Sequence, residues 1–295
     1  MILTVTLNPA LDVTYRVAAL RPGATNRVGE VAVRAGGKGL NVARVLHALG
    51  HEVTALGFAG GPDGDRLTAS AGLPAAFTPI GGETRRTVAV VADDGVTMLN
   101  ESGPRISAGE WARFQADLAG RLPRASILVL SGSLPPGVPA DAYAVLTRLA
   151  GEVPAIVDAQ GPALVEALAA RPHVVKPNVD EVRATFGGEV SLRDLGARAS
   201  VVSDGPRGLH ADTAEGGWRA VPPYTEGNPT GAGDAAVAAL AMGLAAGWDW
   251  PETLRHAAAL SAAAVCAPLA GSFDRAAYLT GLPRVRLERR ADSHR

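Results

Sequence analysis

Six short segments of the chain are apolar at nearly every position: ILTVTL (2–7), VTALGFAG (53–60), SILVLSG (126–132), PAIVDAQ (154–160), HVVKPN (173–178) and ASVVSDG (199–205). Each ends in small or polar residues, as a strand buried on both faces does. Between them, NVARVLHALG (41–50), AGEWARFQADLAGRL (108–122), PADAYAVLTRLAG (139–151) and PALVEALAAR (162–171) space their apolar residues three or four apart, which predicts amphipathic helices. Strand–helix alternation of this kind predicts an α/β fold, a parallel sheet with helices on both faces. Ligands collect beyond the carboxyl ends of such strands, so Ser133, Asp158, Asn178 and Ser203 are expected together on that edge.

Two stretches break the alternation. Residues 14–36 carry short alternating strands and turns with no helix, and 82–102 read as a hairpin around Asp94-Gly95. Together they predict a small sheet beside the main one, either a lid over the ligand edge or a fixed extra sheet. The charged tail RVRLERRADSHR (284–295) has no core-facing pattern and is expected to be mobile.

Composition narrows the function classes. With 295 residues, 47% of them apolar, the chain suits one large domain, and a formal charge of −1 points to neither nucleic acid nor a membrane surface. The single cysteine, Cys266, rules out an internal disulfide framework. No positive charge precedes an apolar run in MILTVTLNPALD, so a cytoplasmic setting is expected. The six histidines show no metal-type pairing, which argues against a protein-held zinc. Of the 28 basic residues only Lys38 and Lys176 are lysine. A compact ammonium is what arginine cannot copy where a phosphate sits in a tight space.

Both lysines lie close to chemistry-bearing motifs. NPTGAGDAAVAAL (228–240) places two glycines and Asp234 in front of an alanine-rich helix predicted from Asp234 to about Leu244. Free N–H groups at such a helix start favour an anion, and glycine lets it approach. Plain N-capping explains Asp234 but not the glycines, and locally the two readings stand level. A second cluster, AGGKGLNVARVLHALG (35–50), again sets a glycine loop before a helix. It is not a Walker loop, and no G-x-G-x-x-G dinucleotide fingerprint occurs in either cluster.

GGKGLNVA followed by Gly50 and Gly60 resembles the first signature of the ribokinase-like sugar kinases, the phosphofructokinase B family. NPTGAGDAAVAAL is similar to the second signature, KPNVDE to the K-P-N-x-x-E segment, and VVSDGPRG to the nucleotide-contacting loop, in family order from residue 1 to about 280. The resemblance implies one ribokinase-like three-layer α/β/α domain over residues 1–295, with a mostly parallel sheet and a β-sheet lid from about 14–36 and 82–102. It also implies ATP and Mg2+ and a phosphosugar partner, with the apolar residues of the lid sheets either pairing into homodimers or covering the active site of a monomer. TLNPALD, GGETRR, LNESGP and SGSLPPGVP resemble the branch acting on phosphorylated ketohexoses. Fructose 1-phosphate is the expected substrate, with tagatose 6-phosphate or fructose 6-phosphate as alternatives. A non-catalytic sugar-phosphate sensor is the competing class.

Residue roles follow from the same resemblance. Asp234 takes the proton from the sugar hydroxyl, while N–H groups of Gly231, Ala232 and Gly233 hold the transferring phosphoryl group. The helix end is expected to keep Asp234 ionised. Asp12, Arg27, Gly37, Lys38, Asn41, Arg85 and Ser133 match positions that hold the sugar or its phosphate, Asn41 offering both donor and acceptor. Lys176, Asn178, Ser203, Gly205 and Gly208 match the nucleotide side. Asn178 and Glu181 position magnesium through its waters; the bland alternative is a helix cap at Asn178 with Glu181 exposed. Asp204 is expected to face ribose or solvent, and adenine to rest on the helix around His256–Ala263, which is equally good as plain core. One departure stands out: the motif T-R-x-N has Thr87 in place of its asparagine.

Overall fold

The computed structural model describes residues 1–290. In chain order β1 (Ile2–Thr6), β2 (Ala10–Arg16) and β3 (Glu30–Gly36) lead into helix α1 (Lys38–Ala48). Then come β4 (Val53–Ala59), α2 (Gly61–Ala69), β5 (Ala75–Pro79) and the hairpin β6 (Arg85–Ala92) and β7 (Gly95–Asn100). Helix and strand alternate next, through α3 (Ala108–Ala119), β8 (Ile127–Ser131), α4 (Ala142–Ala150), β9 (Ala155–Asp158), α5 (Pro162–Leu168), β10 (Val174–Val175) and α6 (Val179–Phe186). The chain closes with β11 (Ala199–Ser203), β12 (Leu209–Thr213), β13 (Gly216–Val221), α7 (Ala232–Ala246), α8 (Trp250–Val265), α9 (Arg275–Gly281) and β14 (Arg286–Arg290).

Among the described residues the strands form two sheets. The larger has the order β14-β13-β12-β11-β10-β9-β8-β1-β4-β5. Its pairs from β11 to β5 are parallel, and β12, β13 and β14 add an antiparallel edge. The α/β class and the mostly parallel sheet therefore agree with the sequence reading. Side chains alternate across the sheet as pleating requires: Ile127 and Val129 enter the core under α1, α7 and α8, while Leu128 and Leu130 enter the core under α3, α4 and α5. Helix α7 is buried without a break from Asp234 to Gly243, which suits its alanine-rich sequence. Strand β1 has β4 on one side and β8 on the other, so the winding reverses there and opens a crevice at its carboxyl end.

The smaller sheet has the order β3-β2-β6-β7, with β2 parallel to β6. It starts at Ala10, ahead of the expected residue 14, because buried Leu11 and Val13 tie β2 to the main body. Its hairpin pairs Ala92 with Gly95, so the turn residues are Asp93-Asp94, one step before the expected dipeptide. The tail requires a larger correction. Residues 286–290 form edge strand β14 against β13, with Val285 buried and Leu287 packed on the core. Alternation of Val285 and Leu287 with charged residues is the pattern of a half-buried strand. Residues 291–295 of that expectation lie outside the described residues.

Candidate active site

The GGKG loop is shaped by lack of space. Gly37 sits at φ 127°, and a Cβ there would lie 2.6 Å from Thr6 Cγ2. At Gly36 a Cβ would collide with the Asp12 carboxylate, and at Gly39 it would lie 2.6 Å from the Val5 carbonyl oxygen. Only glycines let the start of α1 lie on the end of β1. That placement carries Lys38 and Asn41 into the crevice beside Asp12.

Helix α7 enters the same crevice from the far end of the sequence. Gly231 caps it at φ 87°, in the left-handed region glycine favours. Asp234 follows in the first turn, 6% exposed, and Asn41 Nδ2 donates to its Oδ2 at 2.9 Å. Burial pushes the Asp234 carboxyl up to about 7, and the Asp158 charge adds to the rise. The Asn41 hydrogen bond, Lys38 and Lys176 pull the other way. This corrects the expectation that the helix end keeps Asp234 ionised: desolvation outweighs the dipole, and the group is poised near neutrality. A second correction concerns Ala232, whose N–H donates to Pro229 O at 3.1 Å. The loop amides left to meet an anion are those of Gly231 and Gly233.

Beneath this loop lies a cluster of opposite charges. Asp158, 1% exposed at the end of β9, lies 3.4 Å from Lys38 Nζ and 3.9 Å from Lys176 Nζ. Lys38 Nζ is also 3.5 Å from Glu181 Oε1. Burial works against the Lys38 charge, but Asp158, Glu181 and Asp234 outweigh it and raise its proton affinity. Lys38 is therefore turned toward the carboxylates of the nucleotide side. Lys176 flanks the α7 loop: a Cβ on Gly233 would lie 3.4 Å from its Nζ.

Asn178 and Glu181 form a capping box at the start of α6. Asn178 Oδ1 accepts from Glu181 N at 2.7 Å and Glu181 Oε2 accepts from Asn178 N at 2.8 Å. The bland alternative thus holds for Asn178, but Glu181 is not simply exposed, because its Oε1 points into the charge cluster. Among the described residues no group of three or more His, Cys, Asp or Glu side chains could hold a metal by itself. Glu181 Oε1, which meets Lys38 only at 3.5 Å, fits a magnesium ion that keeps its waters and binds mainly through phosphates.

The sugar side gathers three arginines that face Asp12. Burial raises the Asp12 carboxyl to about 6, and Arg34, Arg44 and Arg85 each pull it down. Arg34 Nη2 donates to Ala270 O at 2.7 Å; Arg85 Nε donates to Asn8 O at 3.1 Å and its Nη1 to Thr87 Oγ1 at 3.4 Å. Ser133 Oγ accepts from Asn8 Nδ2 at 3.2 Å, so Asn8 holds both the arginine and the serine. Asn41, expected to serve sugar hydroxyls, has both ends engaged: its amide nitrogen on Asp234 and its oxygen by Arg44 Nη1 at 3.2 Å. Arg27 is not brought in. It is exposed on the segment joining β2 to β3, with no hydrogen bond or ion pair to these residues. A cleft of about 730 Å³ borders Ser133 and Glu181, walled by Leu134, Pro135, Pro136 and Pro162. Arg34, Arg44 and Asn8 escape sequence reasoning, although the first two flank the glycine cluster in RAGGKGLNVAR.

On the nucleotide side Asn178 bridges Ser203 across the sheet, and Gly205 (φ 51°) and Gly208 (φ 93°) shape the following turn. Asp204 binds Arg207 through two contacts of 2.6 Å. Most of the helix expected to carry adenine takes its plain-core alternative, with Ser261 and Ala262 left half-buried. Ala257, Ala258, Ala259, Leu260 and Ala263 are core, and His256 is held by Tyr278 and Glu252 against Trp248.

Residues 5–276 match the family model described as pfkB family carbohydrate kinase. The chain is 36% identical over 264 residues to the tagatose-6-phosphate kinase of Staphylococcus epidermidis, covering 83% of this chain and 85% of the relative. Its fold superposes on phosphofructokinase-2 from Escherichia coli with a TM-score of 0.88 at 28% identity, covering 96% of this chain and 98% of that one. A Thermotoga maritima protein described as a possible 1-phosphofructokinase gives a TM-score of 0.87 at 27% identity, with 99% and 100% covered.

Proposed function

The chain belongs to the pfkB family of carbohydrate kinases and is a sugar-phosphate kinase, and from that premise we propose that it phosphorylates a ketohexose monophosphate, fructose 1-phosphate first, with MgATP as donor. The observation that carries the reading is Asp234. It is a buried carboxyl poised near pH 7 at the mouth of a glycine loop, with Asn41 fixing one oxygen. Phosphoryl transfer needs an aimed hydroxyl and donors waiting where negative charge collects. Asp234 takes the hydroxyl proton. Amides of Gly231 and Gly233, with the Lys176 ammonium beside them, stabilise the transferring group. Lys38, held by Asp158 and Glu181, adds positive charge next to the phosphates. Ser203, Gly205 and Gly208 line the nucleotide approach. Glu181 would hold magnesium through its waters, and the ion would supply positive charge that offsets the phosphates. Asp12, Arg85 and Ser133 receive the sugar and its existing phosphate, and the small sheet covers them.

A second reading, tagatose 6-phosphate as substrate, is favoured by the relative that bears that activity in its name. These sugars present the same groups with their ends exchanged, so a cluster of arginines accepts both. ADP release with MgATP, compared across fructose 1-phosphate, tagatose 6-phosphate, fructose 6-phosphate and fructose, decides. A preference of about tenfold in kcat/KM, equal to about 1.4 kcal/mol in the transition state, assigns the sugar. Preference for plain fructose would remove the phosphate role of Arg85. No turnover with any sugar, alongside phosphosugar binding, would favour the sensor.

The outer edges of the small sheet carry Val31, Val33, Val96 and Met98, each at least 50% exposed. We propose that a second copy covers them. Light scattering on the wild type and on Val31→Lys tests this, with a fall from dimer to monomer expected.

A further inference from the structure

An asparagine can meet a carboxylate with its nitrogen or its oxygen, and only the nitrogen attracts. For Asn41 the choice is made one turn along α1. Arg44 Nη1 donates to Asn41 Oδ1 at 3.2 Å, and Arg44 Nη2 donates to Ala35 O at 2.6 Å. A guanidinium has donors only, so the atom it faces is the oxygen, and the nitrogen is thereby turned onto Asp234. The Ala35 carbonyl anchors the guanidinium in a second direction, which leaves Asn41 little freedom to rotate. We propose that Arg44 is a positioning residue that acts on Asp234 through Asn41, locking the amide so that its N–H serves the ionised carboxylate.

The surroundings support action through Asn41 and not through space. The cations that Asp234 feels directly are Lys38 and Lys176, against the opposing charge of Asp158. Arg44 instead faces Arg34 and Asp12, and burial first, then Arg34, lowers its own proton affinity to about 10, so it stays charged at neutral pH. Neither motif reading in the sequence assigns Arg44 a role.

The kinetic consequence rests on Asp234 as the base, but the titration of Asp234 does not. The test therefore follows the Asp234 carboxyl carbon by NMR in protein labelled at aspartate, its signal identified by its loss in Asp234→Asn. Arg44→Met is expected to raise the titration midpoint by about 0.5–1 unit, since a hydrogen bond to the charged form lowers it. Arg44→Lys, which keeps the charge but cannot span both acceptors, falls between. In an Asn41→Leu background the Arg44→Met change adds nothing further. An unchanged midpoint in Arg44→Met, or an equal shift with and without Asn41, overturns the proposal. The acid limb of kcat/KM should move with the midpoint; a midpoint that moves while the limb does not would count against Asp234 as base and leave the Arg44 coupling standing.

Discussion

Arg86 Nε lies 2.5 Å from Asp63 Oδ2, tying strand β6 of the small sheet to helix α2 of the main body. Asp63 is 3% exposed, and its backbone N–H donates to Glu83 Oε1 at 2.6 Å, so the helix start grips the chain on both sides of the strand entry. Consecutive strand residues point to opposite faces. Arg86 at the tether therefore fixes how Arg85 meets the sugar side. Replacing Arg86 by Gln should raise KM for the phosphosugar about tenfold while KM for ATP stays within about twofold, because small misplacements of a binding group are costly. Asp63→Asn should do the same, and the double variant should be no worse than either alone. Unchanged phosphosugar KM in both single variants would dissolve the link.

Asp158 makes a contrary prediction about pH. Its charge raises the proton affinity of Asp234, so Asp158→Asn should extend the acid limb of kcat/KM to lower pH by about one unit. The same change releases Lys38 and Lys176, and kcat should fall at every pH. A limb that stays in place would mean the limb does not report Asp234.

The parallel sheet was legible because its strands are buried on both faces and read as unbroken apolar runs. Strands β12, β13 and β14 were not, because they sit at the edge and alternate with polar residues over too few positions. Helix α2 hid for another reason: GPDGDRLTA opens with Gly-Pro and reads as a loop, though Asp63 and Leu67 bury one side of it. At the site, residues inside glycine motifs could be named directly. Arg34 and Asn8 act through carbonyls of distant segments, Ala270 and Ser102, and Arg44 through the Ala35 carbonyl across the glycine turn; no local pattern announces such partners. The ionisation of Asp234 was misread because dipole and glycines are visible in sequence, whereas the depth of burial is not.

Two glycines should respond oppositely to the same substitution. A Cβ on Gly39 would press on the Val5 backbone, which cannot yield without moving α1 off β1. Gly39→Ala should cost about 1–3 kcal/mol of stability and most of the activity. Gly281, at the end of α9, has open space around its Cβ position and no left-handed backbone. Gly281→Ala should instead stabilise by about 0.4–1 kcal/mol with activity unchanged. Denaturant unfolding of both variants checks the pair, and equal effects would mean that local crowding does not decide them.

Removing the carboxylate of Asp234 should make the protein inactive and more stable. Its folded value of about 7 stands above the ordinary 3.8, so between those limits the folded protein holds a proton that the unfolded chain has lost. That contribution is complete below about pH 4 and is lost as pH rises to 7. Asp234→Asn keeps the uncharged form at every pH while preserving an oxygen for Asn41. At pH 8 the variant should exceed the wild type by up to about 4 kcal/mol, and at pH 4 the two should agree closely. Phosphotransfer should fall by about 100-fold or more, as expected for loss of a general base. A pH slope should survive in the variant below about pH 6, because burial raises Asp12 to that value and Asp12 is untouched. Unfolding by denaturant at pH 4, 6 and 8 measures all three statements, and an Asn variant no more stable than wild type at pH 8 would show that Asp234 is not held uncharged by burial.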